Sequence, residues 1–110
     1  MTDDSDDMPI ACGLTSAEQR EREATLLTKF RSAVIEIEEL PNGYAFRVPG
    51  DGKRVSMIAD LIVAERECCP FLTFELVAQP RMEPVIVRVT GPAGTKDFLK
   101  TVWCTPDATV

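Results

Sequence analysis

Val34-Ile35-Glu36-Ile37-Glu38-Glu39-Leu40-Pro41-Asn42-Gly43-Tyr44-Ala45-Phe46-Arg47-Val48 sets two alternating runs on either side of a turn. In the first run Ile35 and Ile37 alternate with Glu36 and Glu38; in the second Tyr44, Phe46 and Val48 oppose Ala45 and Arg47. A period of two is the signature of a strand with one buried face, because successive side chains point to opposite sides. Pro41-Asn42-Gly43 supplies turn chemistry between the runs, so the stretch predicts a β-hairpin.

Working outward, residues 15 to 31 carry a helical pattern. Thr15 and Glu18 stand three apart as a capping box, and Ala17, Ala24, Leu27, Phe30 and Val34 make an apolar stripe. After Pro49-Gly50-Asp51-Gly52 a second helix is expected from Lys53 to Cys69, with Val55, Ile58, Ile62 and Cys69 in one line and Leu61, Ala64 and Cys68 beside it. Pro70 stops it. Phe71–Val77 and Val85–Val89 alternate again around a proline-containing loop at 78–84, predicting a second hairpin with Glu75 and Arg88 as a cross-strand pair. Gly91-Pro92-Ala93-Gly94 leads into a short last helix holding Phe98, Leu99, Val102 and Trp103.

The expected fold is therefore α+β, a two-layer sandwich in the order α-β-β-α-β-β-α. It has a four-stranded sheet of two hairpins with helices on one face, and its central portion suits a ferredoxin-like arrangement. Strand order does not follow from pattern.

With 110 residues the chain holds one domain. Residues 1–10 read as a disordered acidic tail, 11–104 as a single α+β domain and 105–110 as a C-terminal tail. The net charge is −6, but Asp3, Asp4, Asp6 and Asp7 account for four acids; residues 8–110 hold twelve basic against fourteen acidic side chains. A nearly neutral body argues against a nucleic-acid partner, which needs a basic stripe to displace counterions. The opening Met-Thr-Asp-Asp lacks a secretory pattern and no apolar run approaches a membrane span, so a cytoplasmic protein is expected, with no membrane association. A homo-oligomer or a protein partner is left open. The chain contains no histidine, which removes every Cys-His, Ser-His and His-metal mechanism; no catalytic constellation supports an enzyme.

Chemistry then rests on the four cysteines, expected as reduced thiols in that compartment. Cys68 and Cys69 are adjacent, and neighbouring Cα atoms about 3.8 Å apart are too close for an unstrained disulfide between them. They stand at the negative end of a helix dipole beside Glu65 and Glu67, which favours the protonated thiol. Cys12, near a helix start, has the opposite bias. A soft ion would displace the thiol protons and outweigh the dipole. Cys12, Cys68 and Cys69 are accordingly the candidate metal ligands for Hg(II), As(III), Cd(II) or Zn(II). Cys104 is a remote fourth, more readily read as inert. Two other readings stay open: cysteines that only pack a core, in a structural or interaction domain, and a redox switch pairing Cys12 with Cys68 or Cys69.

Ala11-Cys12-Gly13-Leu14, Tyr44-Ala45-Phe46-Arg47 and Glu67-Cys68-Cys69-Pro70-Phe71-Leu72-Thr73-Phe74 resemble a group of small bacterial proteins. These share an Ala-Cys-x-Leu start and a Glu-Cys-Cys-Pro-Phe-Leu-x-Phe motif. The resemblance spans about residues 11–100. It implies an association with metal- or mercury-responsive genes and carries over only Cys12, Cys68 and Cys69; Cys104 and the acidic tail fall outside the motif.

Overall fold

Helix α1 (Ala17–Ala33) starts at Ser16, whose hydroxyl accepts a hydrogen bond from the Gln19 amide at 3.0 Å. The computed structural model describes residues 16–104, so Thr15, Cys12 and both expected tails lie outside the described residues. The cap is thus Ser16, where Thr15 with Glu18 was expected. Both residues carry a suitable hydroxyl, and it is the one adjoining the first helical turn that reaches an orphan amide. Only Leu27 and Phe30 of the expected stripe are buried; Ala17 and Ala24 are exposed. Both buried residues lie in the C-terminal half of the helix, against the sheet and the second helix.

Strands β1 (Glu36–Leu40) and β2 (Gly43–Val48) form the expected antiparallel hairpin, Leu40 opposite Gly43 around Pro41-Asn42. Gly43 is required by a close approach: a Cβ there would fall 1.9 Å from the Val89 carbonyl oxygen on a neighbouring strand. Helix α2 (Gly52–Cys68) follows, capped by Asp51, and then β3 (Thr73–Val77). The 78–84 loop contains a short helical turn at Pro80–Met82, in which Arg81 takes φ 64°. Strand β4 (Val85–Thr90) leads through Gly94, at φ 97°, into α3 (Thr95–Leu99), which continues as a π-helical turn over Lys100–Cys104.

All pairings are antiparallel and the sheet order is β1-β2-β4-β3. Since β4 lies between β2 and β3 and runs opposite to both, β2-α2-β3 is a split β-α-β unit. The structure is α+β in the expected element order. Glu75 stands opposite Arg88, as the alternation implied, and Glu36 opposite Arg47, with a 3.3 Å ion pair between them.

The helix-facing side of the sheet carries the core. Phe30, Phe46 and Trp103 have ring centroids 5.2–5.5 Å apart, and Phe74 adds a fourth ring 6.1 Å from Trp103. Val85, Val87 and Val89 line the same face from β4, and Ile58 and Leu61 close it from α2. Two alternating runs depart from their expected burial. Ile35 is 59% exposed, Ile37 42% and Leu76 38%, because β1 and β3 are the edge strands of the sheet. No helix among the described residues is long and apolar enough to cross a membrane.

Candidate functional site

The stripe of α2 that faces the core runs through Ile58, Leu61, Ala64, Glu65 and Cys68. These positions recur every three or four residues, so the helix drives one acid and one thiol into the interior together with its apolar side chains. The helix ends at Cys69, whose backbone leaves the helical region (φ −127°, ψ 75°) while its amide still donates to the Glu65 carbonyl at 2.6 Å. Pro70 follows and bars continuation. The Leu72 amide then donates to the Cys69 carbonyl at 3.1 Å, which fixes the turn into β3.

That change of direction is what brings two adjacent side chains together. In mid-helix, neighbouring residues diverge by about 100°; here the Cys69 thiol reaches Cys68 Sγ at 3.5 Å, and both residues are buried. The expectation that the helix terminus lets the two sulfurs converge is therefore met. The expectation of four reduced thiols is not met at Cys68, which is disulfide-bonded, while Cys69 and Cys104 are free.

Beside the sulfurs lies a residue that the sequence had offered only as a neighbouring charge. Glu65 is fully buried, and neither carboxyl oxygen has a hydrogen-bond partner among the described residues. Burial raises its pKa from 4.5 to about 9, and the Glu23 carboxyl of α1 pushes the same way, so Glu65 is a neutral acid at pH 7. The signal that finds it is positional: Glu65 lies four residues after Leu61 and seven after Ile58, on the apolar line itself. Glu67, its companion in sequence, is exposed. The Cys69 thiol is held well above its ordinary range, first by burial and then by Glu65. A thiol so placed is a poor nucleophile.

Cys12 lies outside the described residues. Among those described, no group of three or more His, Cys, Asp or Glu side chains is arranged to hold a metal ion. Cys104 lines a different part of the molecule, a cavity shared with Trp103, Ile35 and Ile37; its thiol is half-buried and also pushed up by burial. What the described residues assemble is a buried cluster of two sulfurs and one neutral carboxyl at the end of α2. No family model matches this chain, and neither does any curated protein or solved structure.

Proposed function

We propose that the reduced chain holds a thiophilic ion of the class Hg(II), As(III), Cd(II) or Zn(II) through Cys68 and Cys69, with Cys12 as a third sulfur, in resistance, buffering or sensing. The observation that carries this reading is the 3.5 Å separation of the Cys68 and Cys69 sulfurs. Two sulfurs at that spacing, each about 2.3 Å from a common ion, subtend about 100° at it, an angle that a tetrahedral or pyramidal centre accepts. Each thiol gives its proton to solvent and its lone pair to the ion, so the charge that burial forbids to a free thiolate is cancelled as it forms. Glu65 supports the reading from another side. A buried acid lacking partners marks a place where stability was given up, as functional sites often are.

The test is a titration of fully reduced, desalted protein with Hg(II) and, separately, arsenite. A thiolate-to-metal ultraviolet band should saturate near one ion per chain and disappear when Cys12, Cys68 and Cys69 are all changed to Ser. A band that survives the triple change, or no band at all, overturns the proposal. A second reading is favoured by the disulfide at Cys68: in it the site cycles between thiol and disulfide, with a peroxide as oxidant taking up two electrons and two protons. Intact mass decides for it if the oxidised monomer is two hydrogens lighter than the reduced one, if Cys68→Ser abolishes that difference, and if no ion binds. Thiols that bind no ion and do not cycle would leave the two cysteines as core packing.

A further inference from the structure

A second site lies where the C-terminal end of α1, the start of β1 and the π-helical turn Lys100–Cys104 meet. The cavity there has a volume of about 400 Å³, within the usual range for small-ligand sites. Val34, Ile35 and Ile37 form its apolar wall, and the two isoleucines are among the most exposed large apolar side chains described. Ile37 shares the helix-facing side of the sheet with its partner Phe46, yet remains 42% exposed at the edge.

Trp103 lines the same cavity. It is 2% exposed, and its indole N–H, a donor with no acceptor role, has no partner among the described residues. The turn that carries it is π-helical, a rare geometry that recurs at functional sites. Charge completes the description. Among the described residues Arg31 is the single cation lining the cavity and forms no ion pair; one guanidinium nitrogen donates to the Val102 carbonyl. The one acid among the described residues of the wall, Glu36, is engaged with Arg47.

We propose that this cavity binds a small amphipathic carboxylate, its apolar body against Ile35 and Ile37 and its carboxylate taking hydrogen bonds from Arg31 and the Trp103 indole. Arginine pairs with carboxylates through parallel, charge-assisted hydrogen bonds, which supply preference for the anion over a neutral molecule of the same length. The site is separate from the Cys68–Cys69 cluster and does not depend on it.

Trp103 is the only tryptophan in the chain and reports occupancy directly. Octanoate should change its fluorescence saturably at one molecule per chain, with 1-octanol at least tenfold weaker and acetate inactive. Arg31→Met should bring octanoate and octanol within twofold of each other, and Ile37→Asp should abolish both. In unaltered protein, octanoate should also slow maleimide labelling of Cys104, located by peptide mass, at least fivefold; this readout stands even where a variant fails to fold. Equal binding of octanol and octanoate, no saturable signal, or a preference that survives Arg31→Met in a folded variant would overturn the proposal. A dimer that Ile37→Asp converts to monomer, with no octanoate bound by either form, would assign the apolar wall to a second copy and overturn it too.

Discussion

The two ends of α2 each place a carboxyl group, and the two carboxyls live in opposite worlds. At the N-terminal end Asp51 lies at the surface. It accepts from the Arg54 amide at 3.2 Å and pairs with the Arg54 guanidinium at 2.9 Å. Those contacts, the guanidinium first, hold its pKa below the usual 3.8. At the C-terminal end Glu65 is buried beside Glu23 and Cys69, with no geometric hydrogen bond to its carboxyl oxygens among the described residues, and stays neutral up to about pH 9. Capping and the macrodipole favour the first arrangement. Nothing local favours the second; the apolar period of α2 carries the acid inward, and tertiary packing holds it there. Helix ends are thus not equivalent sites for an acid: one arrangement stabilises the helix and the other is tolerated.

The largest effect should come from breaking the tolerated end. A carboxyl whose folded pKa lies above its unfolded value binds its proton more tightly in the native state, so stability is lost as pH rises from about 4.5 to about 9. The expected slope is about 1 kcal/mol per pH unit within that window, levelling off beyond it. Glu65→Leu, close in volume and unable to ionise, should remove the slope and raise stability by about 3 kcal/mol at pH 8. Urea unfolding at pH 6, 7 and 8 checks this, since the gain must grow with pH. A constant gain would mean that packing, not ionisation, separates the two proteins.

A smaller effect sharpens the same end. Cys69→Ser places a hydroxyl in the sulfur's position and should cost about 1 kcal/mol, because Glu65 can exchange a hydrogen bond with it. In the Glu65→Leu background that polar neighbour is gone and the cost should rise to about 2 kcal/mol. The double-mutant cycle by urea unfolding measures the coupling of the pair, and additivity would show that acid and thiol do not interact.

These two residues also mark how far the sequence could be read. Both hairpins were visible because alternation is local: Ile37 with Phe46 and Glu75 with Arg88 meet in the register that the turns impose. The convergence of Cys68 and Cys69 was legible too, from Pro70 ending the helix. The exposure of Ile35 and Ile37 was not, because alternation gives a strand's apolar face but not its place in the sheet. Only the order β1-β2-β4-β3, a product of long-range pairing, puts that face at an edge. Glu65 was passed over for a different reason. Acids are almost always solvated, so residue type points outward, although the spacing from Ile58 and Leu61 places Glu65 on the core line.

The mildest test lies at the satisfied end. Asp51→Ala removes the cap and should lower Tm by a few degrees, measured by circular dichroism, whereas Asp51→Asn keeps an oxygen that accepts from the Arg54 amide and should leave Tm nearly unchanged. The pH signs separate the two ends further. A carboxyl with a depressed folded pKa contributes stability above its unfolded value and loses it as pH falls, so Asp51 matters least in acid, where Glu65 is most comfortable. Asp51→Ala should therefore cost less at pH 3 than at pH 7, while the gain from Glu65→Leu should shrink over the same descent. If Asp51→Asn proved as damaging as Asp51→Ala, the ion pair with Arg54 and not the cap would hold this end of the helix, and the contrast would be one of charge rather than of hydrogen bonding.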